Sequence, residues 1–131
     1  MVEKASNIRI LVVDDSSIWR TFLIGHLYNA GLTLVYVAYD GVQAVFKAQT
    51  LQPDVILMDV RLPHKNGIEA AAEIRHSVPA ARIVFLSGDA DPAVQRAAMN
   101  AGGCEYVLKS LSGRVLVDAI HRAVAGNTET A

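Results

Sequence analysis

The sequence predicts an α/β fold, a parallel sheet of five strands covered on both faces by five helices. Three observations carry this expectation. Short apolar, β-branched runs alternate along the chain with stretches whose apolar residues recur at helical spacing. The connections between them are short, so each helix returns the chain to begin another parallel strand in a doubly wound arrangement. The central run Val55-Ile56-Leu57-Met58 is apolar without alternation, as a strand buried on both faces is.

The elements follow in order. Residues 8–13 form a β-branched first strand that stops at Asp14-Asp15, and Ser16 or Ser17 can cap the helix behind it. That helix carries Ile18, Phe22, Leu23 and Leu27 as its apolar stripe and stops near Asn29-Ala30-Gly31, with Gly31 as C-terminal cap. Residues 34–38 read as the second strand. Asp40-Gly41 leads into a helix over about 42–51, and Pro53 marks its end. The third strand ends at Asp59, and the loop behind it holds Pro63 and Gly67, through which no strand continues. A helix over about 67–76 follows. Residues 82–86 are the fourth strand, closed by Ser87-Gly88-Asp89. Pro92 suits the first turn of the fourth helix, which Gly102-Gly103 ends. Residues 106–108 are the fifth strand, followed at once by Lys109, and a last helix covers about 112–125. No repeat, low-complexity tract or internal linker interrupts the alternation. Residues 1–131 are therefore expected to be one domain, with a core over about 8–125 and a polar tail, or the start of a linker, over 126–131.

Composition bounds the function. The chain has 131 residues, 52% apolar and 19% charged, enough for a core without disulfide or metal staples. A net charge of −1 gives no electrostatic basis for nucleic-acid binding by this chain. No apolar run is long enough to span a membrane, and Met1-Val2-Glu3-Lys4 lacks a signal-peptide pattern. The single cysteine, Cys104, has no partner for an internal disulfide, which points to a reducing cytoplasm, and its apolar-leaning setting reads as a packing role.

The chemistry gathers at the carboxyl ends of the strands, which share one edge in a parallel sheet. Asp14 and Asp15 stand after the first strand, Asp59 after the third, Ser87 after the fourth and Lys109 after the fifth. The second strand ends at Tyr39-Asp40 and contributes nothing obvious. Clustered acids repel unless a cation lies between them, and hard oxygen ligands suit Mg²⁺ or Mn²⁺. A lysine is a point charge for a phosphoryl group, and a serine hydroxyl can hydrogen-bond one of its oxygens. A carboxylate can itself be the nucleophile and form an aspartyl phosphate. Taken singly, each residue has a plain structural reading: an acid pair at a helix N-terminus, a serine cap, a surface lysine. Their joint placement at four strand ends points to phosphoryl transfer.

Four motifs, Val13-Asp14-Asp15, Met58-Asp59-Val60-Arg61-Leu62-Pro63 with Asn66-Gly67, Leu86-Ser87, and Tyr106-Val107-Leu108-Lys109, resemble those of the receiver domain of two-component response regulators. The resemblance covers the chain from Ile8 to Ala125 and implies the flavodoxin-like strand order 2-1-3-4-5. It implies a phosphorylation-activated switch in which Asp59 accepts a phosphoryl group from a sensor histidine kinase or phosphotransfer protein. Asp14, Asp15 and Asp59, with the backbone carbonyl of Arg61, would hold the metal. Ser87 and Lys109 would bind the phosphate, and Tyr106 would turn inward as Ser87 moves. The surface of the fourth helix, fifth strand and fifth helix would then change to control an output domain or partner. A homodimer through that surface would use Val115, Val117 and Arg122. No enzyme activity is implied beyond self-phosphorylation and autodephosphorylation. Two positions depart from the commonest receiver pattern: Ser110 follows Lys109 where many receivers have proline, and Gly88 follows Ser87 where alanine is more usual. Both leave a looser loop.

Arg61 lies two residues past Asp59, and Asp89 two past Ser87, so both rim the mouth through which an attacking water enters. One reading pairs them across this mouth and lets the pair set the lifetime of the phosphorylated state. The other leaves both as solvated groups, since exposed pairs contribute little stability. Trp19, the only tryptophan, reads as a packing residue or as a reporter of metal or phosphate. His26, His64, His76 and His121 show no ligand spacing and read as solvated or packing groups. Residues 116–126, with Asp14-Asp15 and Arg20, are also similar to receivers joined to a helix-turn-helix domain of the LuxR or NarL type. That resemblance implies a DNA-binding domain outside this chain; the alternative is a receiver that acts alone by docking to another protein. Two further classes compete. A receiver-like binding module that is never phosphorylated usually lacks the acceptor or the acid pair, both intact here. A magnesium-dependent aspartyl-phosphate phosphohydrolase carries a second acid two residues beyond its nucleophile, where this chain has Arg61.

Overall fold

The structure, a computed structural model, describes residues 7–126. Five strands, β1 (Arg9–Val13), β2 (Leu34–Ala38), β3 (Val55–Met58), β4 (Arg82–Ser87) and β5 (Gly103–Leu108), pair in parallel in the order β2-β1-β3-β4-β5. The helices are α1 (Ser17–Asn29), α2 (Gly41–Leu51), α3 (Gly67–Ser77), α4 (Pro92–Asn100) and α5 (Ser112–Gly126). This is the expected doubly wound α/β architecture with its 2-1-3-4-5 order. The chain leaves β1 toward β2 on one side and pairs β1 with β3 on the other. That reversal opens a crevice outside the carboxyl ends of β1 and β3.

The unalternated apolar runs bury both faces of the sheet. On one face, Leu11, Ile56, Met58 and Phe85 meet Ala44 and Ala48 of α2 and Ala70, Ala71 and Ile74 of α3. On the other, Ile10, Val12, Leu57 and Leu86 meet Leu23 and Leu27 of α1 and Leu116, Ala119 and Ile120 of α5. Local signals set the helix ends. Ser16 caps α1 through the N–H of Trp19. At its other end the N–H groups of Gly31 and Leu32 donate to the carbonyls of Tyr28 and Leu27, a Schellman closure sealed by buried Leu27 and Leu32. Asn66 and Glu69 form a reciprocal capping box on α3, and Pro92 opens α4 behind the cap Asp91.

Several boundaries differ from expectation. β5 begins at Gly103, not at residue 106, because Gly103 pairs with Ile83 instead of ending α4. A Cβ at Gly103 would lie 2.7 Å from the Phe85 ring, so the glycine that reads as a helix stop is there to let two strands meet over an aromatic. Ile18 and Phe22 of the expected apolar stripe are 80% and 45% exposed, and the inward face of α1 is Leu23 and Leu27. Lys109–Leu111 forms a 3₁₀ turn that runs into α5, and α5 itself extends through Gly126. The expected tail over 127–131 and the N-terminal Met1-Val2-Glu3-Lys4 lie outside the described residues. Among the described residues, no helix is long and apolar enough to cross a membrane.

Candidate functional site

β1 carries the chain straight to Asp14, whose N–H continues the ladder onto the Ala38 carbonyl at 3.2 Å. Asp14 is 1% exposed, and its Oδ1 accepts from the Ser16 N–H at 2.8 Å. Asp15, next in the chain, is exposed. β3 delivers Asp59, 7% exposed, its N–H on the Val13 carbonyl at 3.0 Å. The loop after Asp59 folds back tightly: the Gly67 N–H donates to the Val60 carbonyl at 2.8 Å, and a Cβ on Gly67 would lie 2.0 Å from the Asp59 carbonyl oxygen. Only glycine lets α3 start there. One carboxylate oxygen each from Asp14, Asp15 and Asp59 lie within 4.8 Å of one another.

Lys109 arrives from the end of β5. Its Nζ stands 2.9 Å from Asp14 Oδ2 and 3.2 Å from Asp59 Oδ2, and lies 5.0 Å from the centroid of the Trp19 ring. Ser87 is buried, and its Oγ accepts from the Asp89 N–H at 3.0 Å. The Tyr106 hydroxyl donates to the Asp89 carbonyl at 2.6 Å, while its ring packs 6.5 Å from that of Phe85. Arg61 and Asp89 do pair, Nη2 to Oδ2 at 2.6 Å. Asp59, Arg61, Ser87, Gly88, Asp89 and Lys109 together line a recess of about 400 Å³.

The electrostatics follow from this crowding. Burial raises the Asp59 pKa above its ordinary 3.8, and the charge of Asp14 adds to the rise while Lys109 opposes it. Burial disfavours the Lys109 charge, but Asp14 and Asp59 outweigh it and raise the lysine pKa. Asp89 is held below the usual carboxylate value by the Asp91 N–H and by Arg61. Three carboxylates against one ammonium leave two negative charges uncompensated, the charge of one divalent cation. Asp14 Oδ2 is buried without a well-aligned hydrogen bond among the described residues, although Lys109 stands close. Hard oxygen donors and this net charge suit Mg²⁺ or Mn²⁺.

Asp14, Asp15, Asp59, Ser87 and Lys109 thus converge, with Arg61, Asp89 and Tyr106 around them. Three participants were not legible as such. Arg20 donates from Nη1 to the Asp14 carbonyl at 2.7 Å and lies over the Tyr39 ring at 4.4 Å. The end of β2, which reads as empty, supplies Asp40. It caps α2 through the Gln43 N–H and contacts Nδ1 of His64 at 2.8 Å, tying the Asp59 loop to α2. The His64 side chain is 71% exposed, solvated as expected, and tied to Asp40. Trp19 packs against Lys109. Elsewhere, Cys104 is half-buried with its thiol on the Ile83 carbonyl, as a packing role requires. Arg122 forms a two-pronged ion pair with Glu105 of β5.

Residues 10–121 match the family model of the response regulator receiver domain. The chain is similar to the transcriptional regulatory protein LnrK of Bacillus subtilis, with 33% identity over 120 residues, 91% of this chain and 54% of LnrK. It is similar to the chemotaxis protein CheY of Thermotoga maritima, with 32% identity over 114 residues, 87% of this chain and 95% of that protein. It resembles the crystal structure of a LuxR-family two-component response regulator from Aurantimonas sp. SI85-9A1, with a TM-score of 0.87 at 35% identity, over 92% of this chain and 87% of that one. The chain therefore spans about half the length of LnrK and nearly all of CheY.

Proposed function

The chain belongs to the response regulator receiver domain family, and from that premise we propose that it is a phosphorylation-activated switch whose acceptor is Asp59. The observation that carries this reading is Asp59 itself: a carboxylate 7% exposed at the end of a central strand, 3.2 Å from an ammonium and grouped with two further acids. A buried carboxylate that faces a recess is poised as a nucleophile.

In the transfer, an Asp59 oxygen attacks the phosphorus of a phosphohistidine on a sensor kinase or phosphotransfer protein. The P–O bond forms, the P–N bond breaks with its electron pair returning to the ring nitrogen, and the imidazole, whose other nitrogen already carries a proton, leaves neutral. Mg²⁺ or Mn²⁺, held by Asp14, Asp15, Asp59 and the Arg61 carbonyl, would neutralise charge on the phosphoryl oxygens. Lys109 pairs with one of those oxygens. Ser87 turns its hydroxyl from the Asp89 N–H to donate to another, which moves the loop between β4 and α4. Tyr106, already inward with its hydroxyl on the Asp89 carbonyl, couples that loop to β5. The surface of α4, β5 and α5 then changes, and Val115 and Val117 on α5 offer contacts for a partner or a second copy. The whole chain, 1–131, acts as one cytoplasmic receiver domain, either joined to an output domain or docking to a separate protein. The Arg61–Asp89 pair gates water at the mouth of the site.

The test is intact mass after incubation with acetyl phosphate and Mg²⁺. Wild type is expected to gain one phosphoryl group and Asp59→Asn none. An adduct on Asp59→Asn, or none on wild type, would overturn the assignment.

A further inference from the structure

Lys109 is enclosed from three sides, and one of them is aromatic. Two sides are the carboxylates of Asp14 and Asp59; the third is the Trp19 indole, 5.0 Å away at its centroid. The lysine side chain keeps only 15% of its exposure, so the indole covers a direction from which water would otherwise solvate the ammonium. Trp19 is itself fixed. Its backbone N–H donates to Ser16 Oγ at 3.3 Å, and the Ser16 backbone N–H donates to Asp14 Oδ1 at 2.8 Å, which links the Trp19 backbone to the acid that Lys109 also touches. Phe22 meets the indole edge-on at 5.5 Å, and His26 stacks on Phe22 at 5.9 Å. An aromatic column along α1 thus backs the ring that faces Lys109.

An indole face attracts a cation through its quadrupole, more strongly when the contact is shielded from water. A lysine stem is long and rotates freely, so two carboxylates alone leave its ammonium many ways to satisfy them. We propose that Trp19 is a positioning residue for phosphoryl transfer: its indole face holds the Lys109 ammonium in the place where an incoming phosphoryl oxygen meets it, and senses its departure. This rests on Asp59 being the acceptor. A phosphoryl group on Asp59 competes for the ammonium and draws it from the ring, so the indole sits at the one charge that must move.

Two measurements on the full chain test this. The first is the rate of adduct formation from acetyl phosphate with Mg²⁺. Trp19→Leu is expected to slow it by about threefold to tenfold, with Trp19→Phe, which keeps an aromatic face, recovering most of the loss. The second is indole emission. Lys109→Met is expected to change the resting emission, and beryllofluoride with Mg²⁺ is expected to change emission in wild type but not in Lys109→Met. Wild-type rates in Trp19→Leu, a phenylalanine no better than leucine, or unchanged resting emission in Lys109→Met would each overturn the positioning role. Should Trp19→Leu fail to fold, the emission comparison decides alone, because Lys109→Met retains the tryptophan. An adduct on Asp59→Asn would instead remove the reading on which Trp19 depends, whereas normal Asp59 chemistry with indifferent Trp19 variants removes only the present inference.

Discussion

Arg61 and Asp89 come from loops after different strands, yet they meet at 2.6 Å across the recess above Asp59. The Arg61 side chain is 75% exposed, so the pair adds little to folding. Under the proposed function its consequence lies in access: it would bridge the mouth through which water approaches a phosphorylated Asp59. Arg61→Ala is expected to shorten the life of the phosphorylated state on the order of twofold to fivefold, the range of a weak exposed pair, with the melting temperature unchanged. Decay of the phosphoryl adduct after removal of acetyl phosphate measures this, and an unaltered half-life would make both residues ordinary solvated charges. The residues that converge at the site were legible in the sequence because a parallel sheet gathers its strand ends on one edge. Asp14, Asp15, Asp59, Ser87 and Lys109 each follow an apolar run directly, so chain position alone gives spatial position. Trp19, Arg20 and His64 were legible only as residues, since their contacts depend on side-chain direction and on a loop that folds back on itself.

At the scale of elements, that loop is the decisive piece. It is anchored at one end by Gly67, whose missing side chain lets α3 begin against the Asp59 carbonyl, and at its tip by His64 on Asp40. Asp40 also caps α2, so one carboxylate joins β2, α2 and the loop after Asp59. The Gln43 N–H, then His64, hold its pKa below the ordinary 3.8. A depressed carboxylate contributes stability that is present above its unfolded pKa and lost as pH falls through its folded one. Asparagine caps a helix about as well as aspartate but carries no charge. Wild type is therefore expected to melt above Asp40→Asn near pH 5, with the difference shrinking below about pH 4. A difference that does not change between these pH values would show that the charge of Asp40 is irrelevant to the joint. Element boundaries taught a parallel lesson. Caps, prolines and continuous apolar runs located most ends, because those signals act within a few residues. Gly103 misled because its reason is a Phe85 ring on a neighbouring strand, and Ile18 and Phe22 misled because apolar spacing does not say which way a helix is turned toward the sheet.

At the scale of the whole molecule, the fold holds together an arrangement that its charges oppose. The order β2-β1-β3-β4-β5 places Asp14, Asp15 and Asp59 side by side at the β1–β3 crevice, and Lys109 supplies a single positive charge among them. Packing of the two cores sustains that repulsion, and the burial it imposes on Asp59 raises that carboxyl's pKa, with Lys109 opposing the rise and the charge of Asp14 adding to it. A divalent cation that binds the folded crevice and not the unfolded chain must then stabilise the whole domain, by about 2.7 kcal/mol when its concentration is a hundred times its dissociation constant. The melting temperature is expected to climb with Mg²⁺ until saturation and to fall back when the metal is chelated. Asp15 is the ligand to vary, because it is exposed and contributes little packing, whereas Asp14 is buried and bonded. In Asp15→Asn, melting without metal is expected to match or slightly exceed wild type, since a like charge is gone, while the rise with Mg²⁺ is largely lost. A rise of wild-type size in Asp15→Asn would place the cation elsewhere, and no rise in wild type would mean that the crevice takes up no divalent cation.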